Sequence, residues 1–404
     1  MPRVGALAGE GRGTGPLASW SPLDTEESAK PLIVISPRWL VAPQEFKGTL
    51  TAAEAAEAMA RGLRASSPDV VLDVAPLADG GPGTVEALLA GLRGERRKQV
   101  VRGPLGAPVE AHWALVEDGR TAVVEMAAAS GLSLLAPEAR DALSASTYGT
   151  GELMRAALDS GCERLIVGLG GSATSDAGAG ALEALGFRFL DAQGQPLPPG
   201  GAALARLVSV DASGRHPRLG EVEVLGATDV TSPLLGPDGA ARLFGPQKGA
   251  DAAGVEVLEA ALAHAAQVLG DTPAGWPGAG AAGGFGFGLL ALAGARLVPG
   301  YELVQRALGL ERRVLMADVV LTGEGRFDRQ TSLGKGPGGI ARLAREHGTP
   351  VVLFAGQVRR DEGLELDLFH EVVELSSQPH PTENAETALC EAAARWATLR
   401  LKQR

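Results

Sequence analysis

The chain is 404 residues long and carries 37 Lys and Arg against 48 Asp and Glu, a net charge of −11 at pH 7. That length exceeds what one hydrophobic core usually serves, so two domains are expected, with room for a third. The acidic balance argues against a basic binding surface, and so against nucleic acid or an anionic membrane as partner.

Residues 1–30 contain Glu10 and no apolar signal-peptide core, and read as a loose N-terminal extension. PLIVIS (31–36) predicts a strand, TAAEAAEAMARGLRA (51–65) a helix and VVLDVAPLAD (70–79) a second strand. Together they form a βαβ unit, which implies a parallel sheet. Between Arg97 and Met126 the pattern changes to short alternating runs with a turn at Gly119, an antiparallel excursion that marks a second kind of domain.

GELMRAALDSG (151–161) is helical in content, RLIVGLGG is a strand, and the Ala, Leu and Glu of ALEALG supply a further helix. LDAQGQPLPPGG (190–201) is a surface loop, and VEVLGATDV (222–230) is a strand ending at Asp229. MADVVLTGEG (316–325) and TPVVLFAGQV (349–358) are strands with the helix GGIARLAREHG (338–348) between them, so the parallel pattern resumes. The expected architecture is α/β. One discontinuous domain comprises 31–80 and 290–404, and a second α/β domain, 81–289, is inserted in it.

Cys162 and Cys390 show no CxxC spacing and no disulfide framework, which fits a reducing cytoplasm. No charge occurs from Thr272 to Ala295, but the many glycines with Pro273 and Pro277 argue against a membrane span. The six histidines form no HExxH pair, so none is assigned to a metal. No GxSxG elbow is present to anchor a hydrolase triad.

The stretch VGLGGSATSDAGAGALEALG (167–186) places glycines between a strand and a helix, where backbone amides and the helix N-terminus can face an anion. Ser172 and Thr174 would then donate hydroxyls; equally, they are ordinary caps on a tight turn. A formal GxGxxG at Gly278, Gly280 and Gly283 lacks the leading strand of a dinucleotide site and reads as backbone packing or a flexible loop. Lys47 stands just before a helix whose start carries a capping box, Thr51 with Glu54. Asp79, Asp229, and the series Glu324, Asp328, Lys335 follow strands, and ligands of open α/β sheets bind beyond the carboxyl ends of strands. Acids, lysines and glycines in four such loops suit magnesium–nucleotide chemistry.

From about Pro31 onward the sequence resembles the bacterial glycerate kinase family, in APQEFKGTLTAAEAAEAM, ADGGPGTVEAL, STYGTGELMRAAL, GLGGSATSDAGAGALEALG, DVTSPLLGPDGAARLFGPQKGA, PGAGAAGGFGFG and TGEGRFDRQTSLGKGPGGIA. The resemblance implies a flavodoxin-like α/β domain carrying a second α/β domain, with the active site between them. It implies D-glycerate and ATP as small-molecule partners with Mg2+; the charge and cysteine usage add the expectation of a cytoplasmic enzyme with no nucleic-acid or membrane partner, and a homodimer is left open. Matched to the family's motifs are Lys47, Asp79, the loop Gly170, Gly171, Ser172 and Thr174, then Asp176, Asp229, Lys248, Glu324, Asp328 and Lys335. The glycine loop and Lys335 are expected on the ATP phosphates, with Asp176, Lys248, Glu324 and Asp328 also on the nucleotide, and Lys47 on the glycerate carboxylate. Asp229 or Asp79 would hold magnesium or serve as base to the glycerate hydroxyl.

The sequence departs from the family at Gln44 and Glu45, where APDSFKG is usual, and at Pro82, where ADGGEGT is usual. Ser175 and Ser232 replace Asn. Phosphorylation at the 2-position is favoured. A kinase for another small hydroxy acid, or a catalytically reduced regulator that binds nucleotide or metabolite, stays open as the alternative.

Overall fold

The computed structural model describes residues 36–328, 336–360, 364–375 and 385–401. The N-terminal extension and Lys335 lie outside the described residues. The first described strand, β1 (Arg38–Val41), follows Pro37; the expected strand PLIVIS falls, but for Ser36, outside the described residues. Trp39, Leu40 and Val41 of β1 are all in the core.

The helix α1 (Ala52–Ser66) starts as its sequence predicts, Thr51 accepting the Glu54 amide while the Glu54 carboxylate takes the Thr51 amide at 2.8 Å. β2 (Val71–Val74) then pairs parallel to β1. The chain crosses to a second sheet through α2 (Thr84–Gly91). There β3 (Gly94–Arg102), β4 (Pro108–Val116) and β5 (Thr121–Glu125) run antiparallel, with the expected turn at Gly119.

After α3 (Tyr148–Asp159), β6 (Arg164–Gly168) lies parallel to β5 and feeds the glycine loop, which ends in the short helix α4 (Ala179–Ala184). β7 (Arg188–Leu190) and β8 (Ser209–Asp211) form a separate two-stranded pair. β9 (Glu223–Ala227), α5 (Ala252–Leu269), α6 (Ala281–Leu292) and β10 (Arg296–Val298) complete this half. β10 pairs with β9, so the second sheet takes strand content from beyond residue 289.

The chain returns through α7 (Gly300–Leu308) to β11 (Val319–Phe327), α8 (Gly336–Glu346), β12 (Val351–Val358), β13 (Glu371–Glu374) and α9 (Ala385–Leu401). The first sheet has the order β13-β12-β11-β1-β2, all parallel, which is the flavodoxin-like order and is discontinuous in sequence as expected. The second has the order β10-β9-β6-β5-β4-β3.

Alternation along each strand feeds a core on both faces of each sheet. In the first sheet Trp39, Val41 and Leu321 pack under α1 and α9, while Leu40, Val320 and Leu353 pack with α7 and α8. α2 and α7 lie between the sheets. Val85, Leu88, Leu303 and Ala307 join the core of the second, and Ala87, Tyr301, Val304 and Leu308 that of the first. α5 is long and apolar enough by composition to cross a membrane, but Leu258, Ala261, Leu262 and Ala265 are fully buried in the second sheet's core.

Candidate active site

Strand-end loops from both sheets meet around Asp79. In the first sheet the strand order reverses between β1 and β11, the point where ligands of this topology bind. β1 leads to Gln44, Glu45 and the exposed Lys47, and Gly325 of β11 packs on the backbone of Phe46 and Lys47. Gln44 Nε2 donates to Asp79 Oδ2 at 3.1 Å, which ties the β1 loop to the loop after β2. Asp79 Oδ1 accepts the Gly81 amide at 3.2 Å and so shapes its own turn.

The Asp79 loop also lies directly on the second sheet. The Gly170 amide donates to the Gly80 carbonyl at 2.9 Å. Gly80 has φ +89°, and a Cβ there would stand 2.5 Å from the Ala227 carbonyl oxygen, so glycine alone permits this approach. Gly300 packs on the Asp79 carbonyl, and the next amide, of Tyr301, donates to Asp229 Oδ2 at 3.1 Å. Asp79 and Asp229 are thereby brought to the same end of α7.

The glycine loop is held from behind. The Leu132 amide donates to the Gly171 carbonyl at 2.8 Å, the Ala173 amide to Ser130 at 2.9 Å and the Ala177 amide to Gly283 at 3.1 Å. Lys248 Nζ, fully enclosed, donates to the Thr174 carbonyl at 2.6 Å. Gly278, Gly280 and Gly283 pack on the loops at 228–233 and 174–175, and a Cβ at Gly283 would stand 2.0 Å from the Thr174 carbonyl oxygen. The formal GxGxxG is thus a packing device, as its context predicts.

This anchoring sorts the loop into two parts. Gly171 is exposed and Gly170 partly so, whereas Ser172, Thr174 and Asp176 are buried. Ser172 pairs with Gly131 as an isolated bridge, and the Thr174 and Ser175 hydroxyl oxygens have no hydrogen-bond partner among the described residues. Asp176 accepts from the Thr147 amide and hydroxyl at 2.8 and 2.9 Å, and from the amides of Gly178 and Gly180 at 3.1 and 3.2 Å. The structure therefore leaves Lys47, Asp79, Gly170, Gly171 and Asp229 at least partly exposed, and buries Ser172, Thr174, Asp176 and Lys248. Glu324 lies inside β11, opposite Ala355, because that strand runs on to Phe327; Asp328 follows it, 3.5 Å from Arg326.

Electrostatics agree with the geometry. Burial pushes the Asp176 carboxyl up against its donors, and burial lowers Lys248 to about 7 although Asp176 opposes this. Burial also raises Glu45, with Lys47 opposing and Asp79 adding to the shift, so the β1 loop and Asp79 share one field. Glu125, at the end of β5, is raised to about 7 by burial. Burial and then the Asp229 charge push the Tyr301 hydroxyl up. Glu125 and Tyr301 lie in none of the sequence motifs assigned to the site. The signal available for Glu125 was an acid closing the apolar run AVVE.

Among the described residues no three His, Cys, Asp or Glu side chains are grouped to hold a metal ion. Magnesium needs no such group, since it takes one or two carboxylates and fills the rest with phosphate oxygens and water. Asp79 and Asp229 are the carboxylates on these loops that could supply them.

Phosphoryl transfer asks for positioning and charge neutralisation more than covalent chemistry, and loops carrying carboxylates, an exposed lysine and an exposed glycine turn in an α/β fold suit the small-molecule kinase class. The chain belongs to the glycerate kinase family, whose model matches residues 39–400. It is 49% identical to the glycerate kinase of Bacillus subtilis (strain 168), over 80% of this chain and 85% of that protein. It is 46% identical to the glycerate 2-kinase of Escherichia coli (strain K12), over 80% of this chain and 86% of that one. A crystal structure assigned to glycerate kinase 2 from Salmonella typhimurium LT2 superposes with a TM-score of 0.75 at 42% identity, covering 91% of this chain and 99% of that chain.

Proposed function

We propose that the protein transfers the γ-phosphoryl group of ATP to D-glycerate, with 2-phosphoglycerate as the product. The observation that carries this reading is the position of the Asp79 loop. Gln44 holds the Asp79 carboxylate from the β1 side, and one residue on, the Gly80 carbonyl accepts the Gly170 amide. An acceptor alcohol near Lys47 and a nucleotide near Gly170 and Gly171 would share that wall. The name glycerate 2-kinase carried by the E. coli relative supports the 2-position.

In this reading Lys47 binds the glycerate carboxylate and the glycine loop meets the phosphates at the exposed Gly171, joined by Lys335, while the Gly170 amide stays on the Gly80 carbonyl. Asp79 and Asp229 divide two tasks, holding magnesium and accepting the proton of the attacking hydroxyl, while Glu324 and Asp328 complete the nucleotide side. Bound magnesium supplies charge neutralisation on the phosphates. Asp176 and Lys248 shape the glycine loop from beneath. Free thiols at Cys162 and Cys390 support a reducing compartment such as the cytoplasm.

The test is purified protein with ATP, magnesium and D-glycerate, following ADP release and identifying the product by phosphorus NMR. Glycerate-dependent ADP with a 2-phosphoglycerate resonance supports the proposal. A 3-phosphoglycerate resonance corrects the position, and ADP release no faster than the glycerate-free control overturns the substrate.

A further inference from the structure

We propose that Glu125 is a positioning residue of this enzyme, capping α2 from the end of β5 and so fixing the loop that presents Asp79. The first amides of a helix have no partner within it, and a Ser, Thr, Asp or Asn side chain at the N-cap normally supplies one. α2 has Gly83 at that position, which has no side chain to offer. The Thr84 hydroxyl is turned back onto the Gly81 carbonyl at 2.7 Å.

The cap comes instead from another strand. Glu125 Oε1 accepts the Val85 amide at 2.5 Å, and the Gly83 amide adds to the same field. A carboxylate there also meets the positive end of the helix. Glu125 pairs in register with Gly168 of β6, the residue from which the glycine loop departs. One side chain therefore ties the root of the glycine loop to the far end of the segment Asp79–Gly83. Because α2 packs between the two sheets, releasing its N-terminus would loosen the crossing as well as the loop.

The surroundings are costly for a charge. Burial raises the Glu125 carboxyl to about 7, and the Glu86 and Glu45 carboxylates push it the same way. The Val85 and Gly83 amides work against that shift, which is what a cap requires.

The catalytic part of this proposal rests on the kinase reading above, so the experiment has a readout independent of turnover. Hydrogen–deuterium exchange of the segment 79–91 is compared in the wild type, Glu125→Ala and Glu125→Gln, with β12 as the internal control. Glu125→Ala is expected to speed exchange there about tenfold while leaving β12 unchanged, as loss of one capping bond implies. Glu125→Gln keeps an acceptor oxygen and is expected to restore slow exchange. In the glycerate assay Glu125→Ala should lower kcat about tenfold or more, and Glu125→Gln should recover it to within about threefold. Unchanged exchange in Glu125→Ala overturns the cap even if the wild type proves inactive on glycerate. Slow exchange with dead turnover in Glu125→Gln overturns the positioning role in favour of proton transfer.

Discussion

Lys248 Nζ lies 2.6 Å from the Thr174 carbonyl oxygen, within a fully buried environment beneath the glycine loop. Removing it should act on the loop and through it on the nucleotide. Lys248→Met is expected to lower kcat/KM for ATP about tenfold, the scale of one lost hydrogen bond to a buried carbonyl. It should also change how stability varies with pH. The folded Lys248 is lowered from 10.5 to about 7, so between those values the unfolded chain binds more protons and the native protein gains stability as pH rises. Thermal midpoints measured from pH 7 to 10 should climb less in Lys248→Met than in the wild type. Parallel curves would show that Lys248 does not titrate in this window.

Asp176 serves the same loop by a different route. Its carboxylate accepts the Thr147 amide and hydroxyl and the amides of Gly178 and Gly180, with no exposed oxygen edge to offer a ligand. Asp176→Ala strands buried donors on α3 and on the entry to α4, and is expected to cost about 3–5 kcal/mol of stability. Thermal unfolding and soluble yield read this directly, and Asp176→Asn should fall between the two. An unchanged midpoint with lost ATP binding would instead make Asp176 a ligand contact.

The sequence motifs put Asp176 and Lys248 among the nucleotide contacts, whereas the structure buries both. Motif spacing places Asp176 and Lys248 beside the glycine loop, but it carries no information about which side of that loop a side chain takes. That choice is made by Gly283 and Ser130, which arrive from distant parts of the chain and close off the underside. Features with a local cause were legible: the Thr51–Glu54 capping box, the antiparallel runs about Gly119 and the parallel units at both ends of the chain. β1 at Arg38–Val41 left no signal that was read, because RWLV has one β-branched residue and its strand is set by pairing with β2 and β11. Glu125 left only a faint signal, since its amide partner lies 40 residues earlier and no short pattern links the two.

At the cleft itself the carboxylates and the lysine should separate in kinetics. Asp79→Asn and Asp229→Asn are each expected to lower kcat about 100-fold or more, as loss of a charge at a phosphoryl-transfer centre does. Titrating magnesium assigns the two tasks: the variant needing more metal for half-maximal rate lost the metal ligand. Lys47→Ala should raise KM for glycerate about tenfold while leaving KM for ATP unchanged. Equal effects on both substrates would remove Lys47 from the acceptor site.

The Glu125 carboxyl gives a stability signature that is independent of turnover. Its folded value is raised from 4.5 to about 7, so across that interval the native protein binds more protons than the unfolded chain. The contribution is fully present below 4.5 and is lost as pH rises through 7. Glu125→Gln holds the site permanently neutral and keeps an acceptor for the Val85 amide. The variant should therefore match the wild type near pH 5 and exceed it at pH 8, by about 1–3 kcal/mol. Denaturant unfolding at the two pH values measures the difference, and the comparison within each pH cancels the titration of Asp176 and Glu45. An equal gain at both values would mean that the Glu125 carboxyl stays in one protonation state throughout, and that its cap on α2 is insensitive to pH.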